Sequence, residues 1–195
     1  MGFKIWLVYE EYEPHIKVPV PSTNQHHSFD CGAAALRAVC QFFNVGPKEQ
    51  SEFIKACDTS ADKGTRPKDI IRVAKKFGLM TRAQHNMPIE TLKEYLEIGI
   101  PVICAIQAHG EKEDYPDRWS GHYVVAIGYD SRNIYFEDPM LKENSRGFLS
   151  TKEFLKRWID EDIDGWKYDN FGIAIWKPDG DVKPESDKKP QKEIP

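Results

Sequence analysis

The sequence predicts an α+β domain, with an N-terminal helical half packed on a C-terminal antiparallel β-sheet. Four consecutive helical patterns fill the stretch from Cys31 to Gly99, and one more follows at Ser150. Runs with the period and composition of strands fill most of the stretch from Pro101 to Lys177. The two patterns follow one another rather than alternating, as they would around a parallel α/β sheet. The chain has 195 residues, 40% hydrophobic and 30% charged. That is a globular composition, long enough to bury a core.

Residues 1–24 read as a short strand, KIWLVY, and a proline-punctuated arm, EPHIKVPVPST. The first helix opens at Cys31. Leu36, Val39, Cys40 and Phe43 recur at i, i+3, i+4 and i+7 along it, which is one helical face. Asn44 and Gly46 end it. Pro47 suits the first turn of a second helix, whose apolar stripe is Phe53, Ile54 and Cys57. A third helix starts at Pro67, buries Ile70, Ile71, Ala74 and Phe77, and stops at Gly78. A fourth turns Leu92, Tyr95 and Leu96 inward and stops at Gly99.

PVICAIQ is a short apolar run with β-branched residues, hence a buried strand. A polar loop over 108–120 separates it from GHYVVAIGYD. That strand and NIYFEDP are joined by the turn chemistry of YDSRN, which predicts a hairpin. RGFLS adds a short strand. STKEFLKRWID is a helix with a capping box, Ser150 at the cap and Glu153 three residues on. FGIAIWK closes the sheet. Residues 178–195 are almost devoid of apolar side chains and rich in proline, so they read as a disordered tail or linker. The expected organisation is an arm over 1–24, one domain over 25–177 and that tail.

The formal charge is −4 and no Lys/Arg cluster is dense. This argues against a nucleic-acid partner or an anionic membrane surface. The longest apolar runs fall short of the roughly 20 residues of a membrane span. The opening MGFKIWLVYEEYEP lacks a small-residue cleavage site, and Trp6 stands where a myristoylation signal has Ser or Thr. The cysteines Cys31, Cys40, Cys57 and Cys104 show neither a Cys-x-x-Cys nor a zinc spacing. They imply a reducing, cytoplasmic setting, with no metal or cofactor.

Cys31 stands where an irregular segment becomes a helix. The thiolate is the nucleophile in cysteine chemistry, and a free thiol with a pKa of about 8.5 is mostly protonated at neutral pH. The positive end of a helix dipole and a neighbouring imidazole both favour ionisation. The helix entry Asp30-Cys31-Gly32 supplies the first. Gln25, shortly before, could join the Cys31 N–H in binding an oxyanion. His122 opens an apolar strand after Gly121, where a base would be rigidly held. The hairpin returns Asp138 to within a residue or two of His122, where a carboxylate could fix the imidazole tautomer. Each has a plain alternative: a buried cysteine, a solvated glutamine, a sheet-edge histidine, an aspartate in a turn. Taken together, those alternatives require a coincidence of spacing and local structure. Cys40, Cys57 and Cys104 read as core, and His85 and His109 as solvated. His26 and His27 point apart along the Gln25 segment and are poor candidates for the base. Trp6, Trp158, Trp166 and Trp176 read as packing. Trp119 is placed at the cleft, where the acidic loop 110–119 could form a cover.

Gln25 followed by CGAAAL at Cys31 resembles the papain-like cysteine peptidases, and more narrowly the bacteriocin-processing peptidases that cut after double-glycine leaders. The matching pieces are Gln25, Asp30-Cys31-Gly32, Gly64-Thr65, Pro101, His122-Tyr123-Val124-Val125, Asp138-Pro139 and the closing GFLSTKEFLKRW. They span Gln25 to Trp158. The resemblance implies a papain-like fold with Cys31 as nucleophile, His122 as general base and acid, Asp138 as orienter and Gln25 in the oxyanion hole. The substrate would be a peptide or protein. Members are often the first domain of an exporter, and no transporter sequence is present here. Two other readings stay open: acyl transfer, as in the similar phytochelatin-synthase branch, and a catalytically idle peptide-binding module.

Overall fold

The computed structural model describes residues 16–108, 121–142, 146–178 and 192–193. In chain order it comprises β1 (Ile16–Lys17), α1 (Cys31–Phe42), α2 (Gln50–Ala56), α3 (Pro67–Lys76), β2 (Met80–Gln84), α4 (Ile89–Glu97), β3 (Val102–Gln107), β4 (Gly121–Tyr129) and β5 (Asn133–Glu137). There follow β6 (Arg146–Ser150), α5 (Thr151–Arg157), β7 (Ile159–Glu161), β8 (Lys167–Asp169), β9 (Gly172–Trp176) and β10 (Lys192–Glu193).

The main sheet runs β10-β6-β5-β4-β3-β9-β2, with β1 on the far end of β4. Its pairings are antiparallel except for β10 on β6. The hairpin β7–β8 stands apart as a two-stranded sheet. Helix α1 is the centre of the helical half. Cys31 through Leu36 and Ala38 through Cys40 are all buried. A helix covered on nearly every side needs apolar residues all round, and its small alanines let neighbours approach closely. Ile103, Val125 and Ile173 share one face of the sheet by register, and Phe136 lies on the other against Phe154 of α5; all belong to one continuous buried cluster with α1 and α3. No helix among the described residues is long and apolar enough to cross a membrane.

The expected helices and the β4–β5 hairpin are present. The sequence reading departs from the structure at four places. Pro47 precedes α2 rather than opening it, because Glu49 holds the N-cap position. β2 was not anticipated; it pairs with β9 along five residues and forms the sheet edge, so β9 lies inside the sheet rather than closing it. The hairpin β7–β8 was also not anticipated; α5 stops at Arg157, so Ile159 and Asp160, expected at the end of the STKEFLKRWID helix, open β7 instead. Trp166, read as a packing residue, is 70% exposed on that hairpin. The KIWLVY strand, Trp6, His109, the loop 110–119 and Trp119 lie outside the described residues, as does the tail apart from Pro178 and the two residues of β10.

Candidate active site

Cys31 is the first residue of α1, and Asp30 is its N-cap. The Asp30 side chain does not cap the helix. It is fully buried and turns back into the preceding loop, accepting from the His26 N–H at 3.3 Å and the His27 N–H at 3.0 Å. Gln50 Nε2, on the first turn of α2, donates to it at 3.2 Å. A buried carboxylate needs such donors, and here they fold the 25–30 loop so that the helix dipole begins at the thiol. The Cys31 residue is 8% exposed and opens onto a cavity of about 570 Å³ between the helical half and the sheet.

His122 is the second residue of β4, paired with Ile106 of β3. It is buried. Its Nε2 lies 2.7 Å from Asp138 Oδ1, just beyond the end of β5. The same oxygen accepts the Met140 N–H at 2.9 Å, so a tight turn aims the carboxylate at the ring. A one-residue irregularity between Ala126 and Gly128 sets the β4–β5 register so that Val125 faces Glu137.

The Cys31 sulfur lies close enough to the imidazole to act on its charge. Burial, the largest influence, works against a charged ring. The negative sulfur of Cys31, with hydrogen bonds to Asp138 and Cys31, outweighs it and raises the His122 pKa above its ordinary value. The charged form of the imidazole is therefore favoured. The thiols of Cys40, Cys57 and Cys104 are all held protonated by burial. Burial, followed by Cys57, pushes Cys40 up to about 12. Burial also takes Cys57 to about 12 against a partial opposition from Arg72, and it raises Cys104.

Three elements therefore bring Cys31, His122 and Asp138 together. Gln25 is placed beside them by its backbone, whose N–H donates to Pro139 O at 3.0 Å. Its amide Nε2 donates to His27 O at 2.8 Å, within its own loop, and its Oε1 is buried without a hydrogen-bond partner among the described residues. The amide donor is thus held by the loop in this structure.

Several residues of the site were not singled out from sequence. Glu137 is fully buried and ties down the arm before Gln25. It accepts the Thr23 N–H at 2.9 Å and the Ser22 hydroxyl at 3.4 Å, with Arg146 Nε 3.6 Å away. Arg146 Nη2 donates to Val20 O at 2.8 Å, and the Thr23 hydroxyl donates to Ala34 O of α1 at 3.1 Å. A charged residue at the end of the apolar strand NIYFE was the available signal. Asp160 of β7 lies against Gly121. A Cβ there would come within 2.9 Å of the Asp160 carboxyl carbon and closer still to Oδ1. Gly32 is equally confined, since a Cβ would meet Thr65 Cβ at 2.7 Å and Tyr123 Cδ2 at 2.9 Å.

The model of the Peptidase_C39 like family matches residues 17–161. A curated relative, the SPbeta prophage-derived sublancin-168-processing and transport ATP-binding protein SunT of Bacillus subtilis (strain 168), is 30% identical over 176 residues, covering 87% of this chain and 20% of the relative. The chain thus spans about a fifth of that protein's length. Among solved structures, a double glycine motif protease from an AMS/PCAT transporter, in complex with the leader peptide, aligns with TM-score 0.59 at 19% identity, over 90% of this chain and 100% of the other. A C39-like peptidase from Bacillus anthracis aligns with TM-score 0.66 at 16% identity, over 86% of this chain and 98% of the other. These likenesses establish the papain-like fold. With most of the chain matched to one family, Cys31 opening onto the cavity and His122 held by Asp138 at the start of β4, the chain belongs to the Peptidase_C39 like family of cysteine peptidases.

Proposed function

We propose that Cys31, His122 and Asp138 form the catalytic triad of this peptidase. Gln25 and the Cys31 N–H then bind the oxyanion once the Gln25 amide leaves His27 O. The observation that carries the reading is the His122 ring, held by Asp138 Oδ1 at 2.7 Å and near enough to the Cys31 sulfur for the two charges to interact.

In this mechanism the Cys31 thiolate attacks the scissile carbonyl carbon. Oxyanion-hole donors stabilise the tetrahedral intermediate. The C–N bond breaks as His122 gives its proton to the departing amine. Water then loses a proton to His122 and attacks the thioester, and a carboxylate product leaves as the Cys31–carbonyl bond breaks. Asp138 accepts the Nε2–H throughout, which holds the ring in the tautomer that can serve both steps.

The substrate in this reading is a peptide or protein with a double-glycine motif before the cut. The leader-peptide complex of the structural neighbour supports this. The peptidase unit is the 25–177 domain. A cytoplasmic setting fits four cysteines that are all unpaired.

Iodoacetamide at neutral pH, followed by peptide mapping, tests the triad. Cys31 is expected to react ahead of the other three thiols, and His122→Ala to slow that reaction about tenfold or more. Equal labelling of all four cysteines, or a Cys31 rate indifferent to His122→Ala, would overturn it.

A further inference from the structure

The segment from Ile159 to Asp169, IDEDIDGWKYD, is strongly acidic and carries two apolar side chains at its turn. The turn is pinned. Asp162 Oδ1 accepts the N–H groups of Asp164 and Trp166, each at 3.0 Å, and Oδ2 accepts the Tyr168 hydroxyl at 2.8 Å. The base is pinned as well. Gln107 Nε2 donates to Ile159 O and to Asp160 Oδ1, each at 3.2 Å, and the Asn170 N–H donates to Trp158 O at 2.8 Å. A turn fixed at this many points cannot fold its side chains away. Ile163 is nevertheless 67% exposed and Trp166 70% exposed. Large apolar groups held rigidly in water mark a contact surface.

That surface continues the active-site cleft. Ile163 lines the same cavity as Cys31. Trp166 lines a second groove of about 220 Å³, and the two grooves share Arg66 and Asp162. One path therefore leads from the nucleophile to Trp166. Charge narrows what can lie in it. The cations of the first cavity are committed, Lys63 Nζ to Asp58 at 2.6 Å and Arg66 Nε to Asp69 at 3.1 Å, while Lys68 in the second groove makes no ion pair among the described residues. Glu161, on the hairpin wall, makes no ion pair among the described residues.

We propose that the β7–β8 hairpin is the substrate-selecting wall of the cleft, and that it receives a peptide segment beside the scissile bond carrying one basic and one apolar side chain. The basic group meets Glu161 and the apolar group rests on Ile163 and Trp166. This proposal rests on the peptidase reading above.

A mixed-sequence fluorogenic peptide library tests it, with the wild-type chain, Glu161→Lys and Trp166→Ala compared at matched melting temperature. The wild type is expected to favour members with Lys or Arg and Leu or Phe near the cut. Glu161→Lys should lower kcat/KM for the basic members about three- to tenfold, through KM with kcat unchanged. Trp166→Ala should weaken the apolar preference. A profile without either preference, or one that both variants leave unchanged, overturns the proposal. If the wild type cleaves no member, the peptidase reading has failed with this library, and retention of the same peptides on immobilised protein decides the surface. Basic–apolar peptides held by the wild type and released by Glu161→Lys support it; no selective retention overturns it.

Discussion

Cys31 differs from Cys40, Cys57 and Cys104 in what stands beside the sulfur, since all four are buried. The other three are surrounded by core and stay protonated at neutral pH, whereas Cys31 meets an imidazole whose charged form is favoured. The base in turn depends on a glycine. Gly121 gives the backbone room in the sequence reading, and in the structure that space is occupied by the Asp160 carboxylate. Gly121→Ala must displace either β7 or the start of β4. A shift of about 1 Å at a catalytic group costs on the order of a hundredfold in rate, whereas overpacking costs about 1–3 kcal/mol in stability. The variant is therefore expected to lose about a hundredfold in kcat/KM while remaining folded, checked by steady-state kinetics beside a melting curve. Unchanged activity would mean that Asp160 swings aside without disturbing His122.

At the scale of elements, α5 shows how local chemistry sets a boundary. The Ser150 hydroxyl accepts the Glu153 N–H at 3.1 Å, and Glu153 Oε1 takes Arg157 Nε at 3.1 Å one turn later. Ser150→Ala is expected to cost about 1 kcal/mol, read as a lower urea midpoint with an unchanged slope. That cap was legible because donor and acceptor are three residues apart. The same holds for α1, α3 and α4, each with a regular apolar stripe, and for the β4–β5 hairpin, whose turn and strands are contiguous. β2 was illegible for the opposite reason. MTRAQ has no apolar alternation, its residues are partly or fully exposed, and its hydrogen bonds come from β9, far along the chain. The β7–β8 hairpin has strands of three residues and owes its shape to Gln107 and to the side chain of Asp162. In the site, Cys31, His122 and Asp138 each sit at an element end with a local signal. Asp30, Glu137 and Asp160 act on Gln50, the arm and Gly121, which sequence distance conceals.

At the scale of the whole molecule, Glu137 couples stability to pH. Burial raises its pKa from 4.5 to about 8, against the opposing pull of the Thr23 N–H, Arg146 and Ser22. The folded state therefore keeps a proton that the unfolded chain releases. This contribution is fully present below the unfolded value and is lost as pH rises through the folded value. Stability should fall between about pH 5 and 8, and Glu137→Gln, which cannot ionise, should flatten that part of the profile. Urea midpoints across the range measure it, and an identical slope in the variant would remove Glu137 as the cause.

The arm that Glu137 holds has a mechanical consequence. Between Val18 and Gln25 it is bonded to Ile127 of β4, to Arg146 of β6, to Glu137 and Pro139 around the end of β5, and to Ala34 of α1. One ribbon of backbone thus straps the helical half to the sheet along a single margin of the cleft. The strap ties α1, which carries Cys31, to the strands around His122 and Asp138.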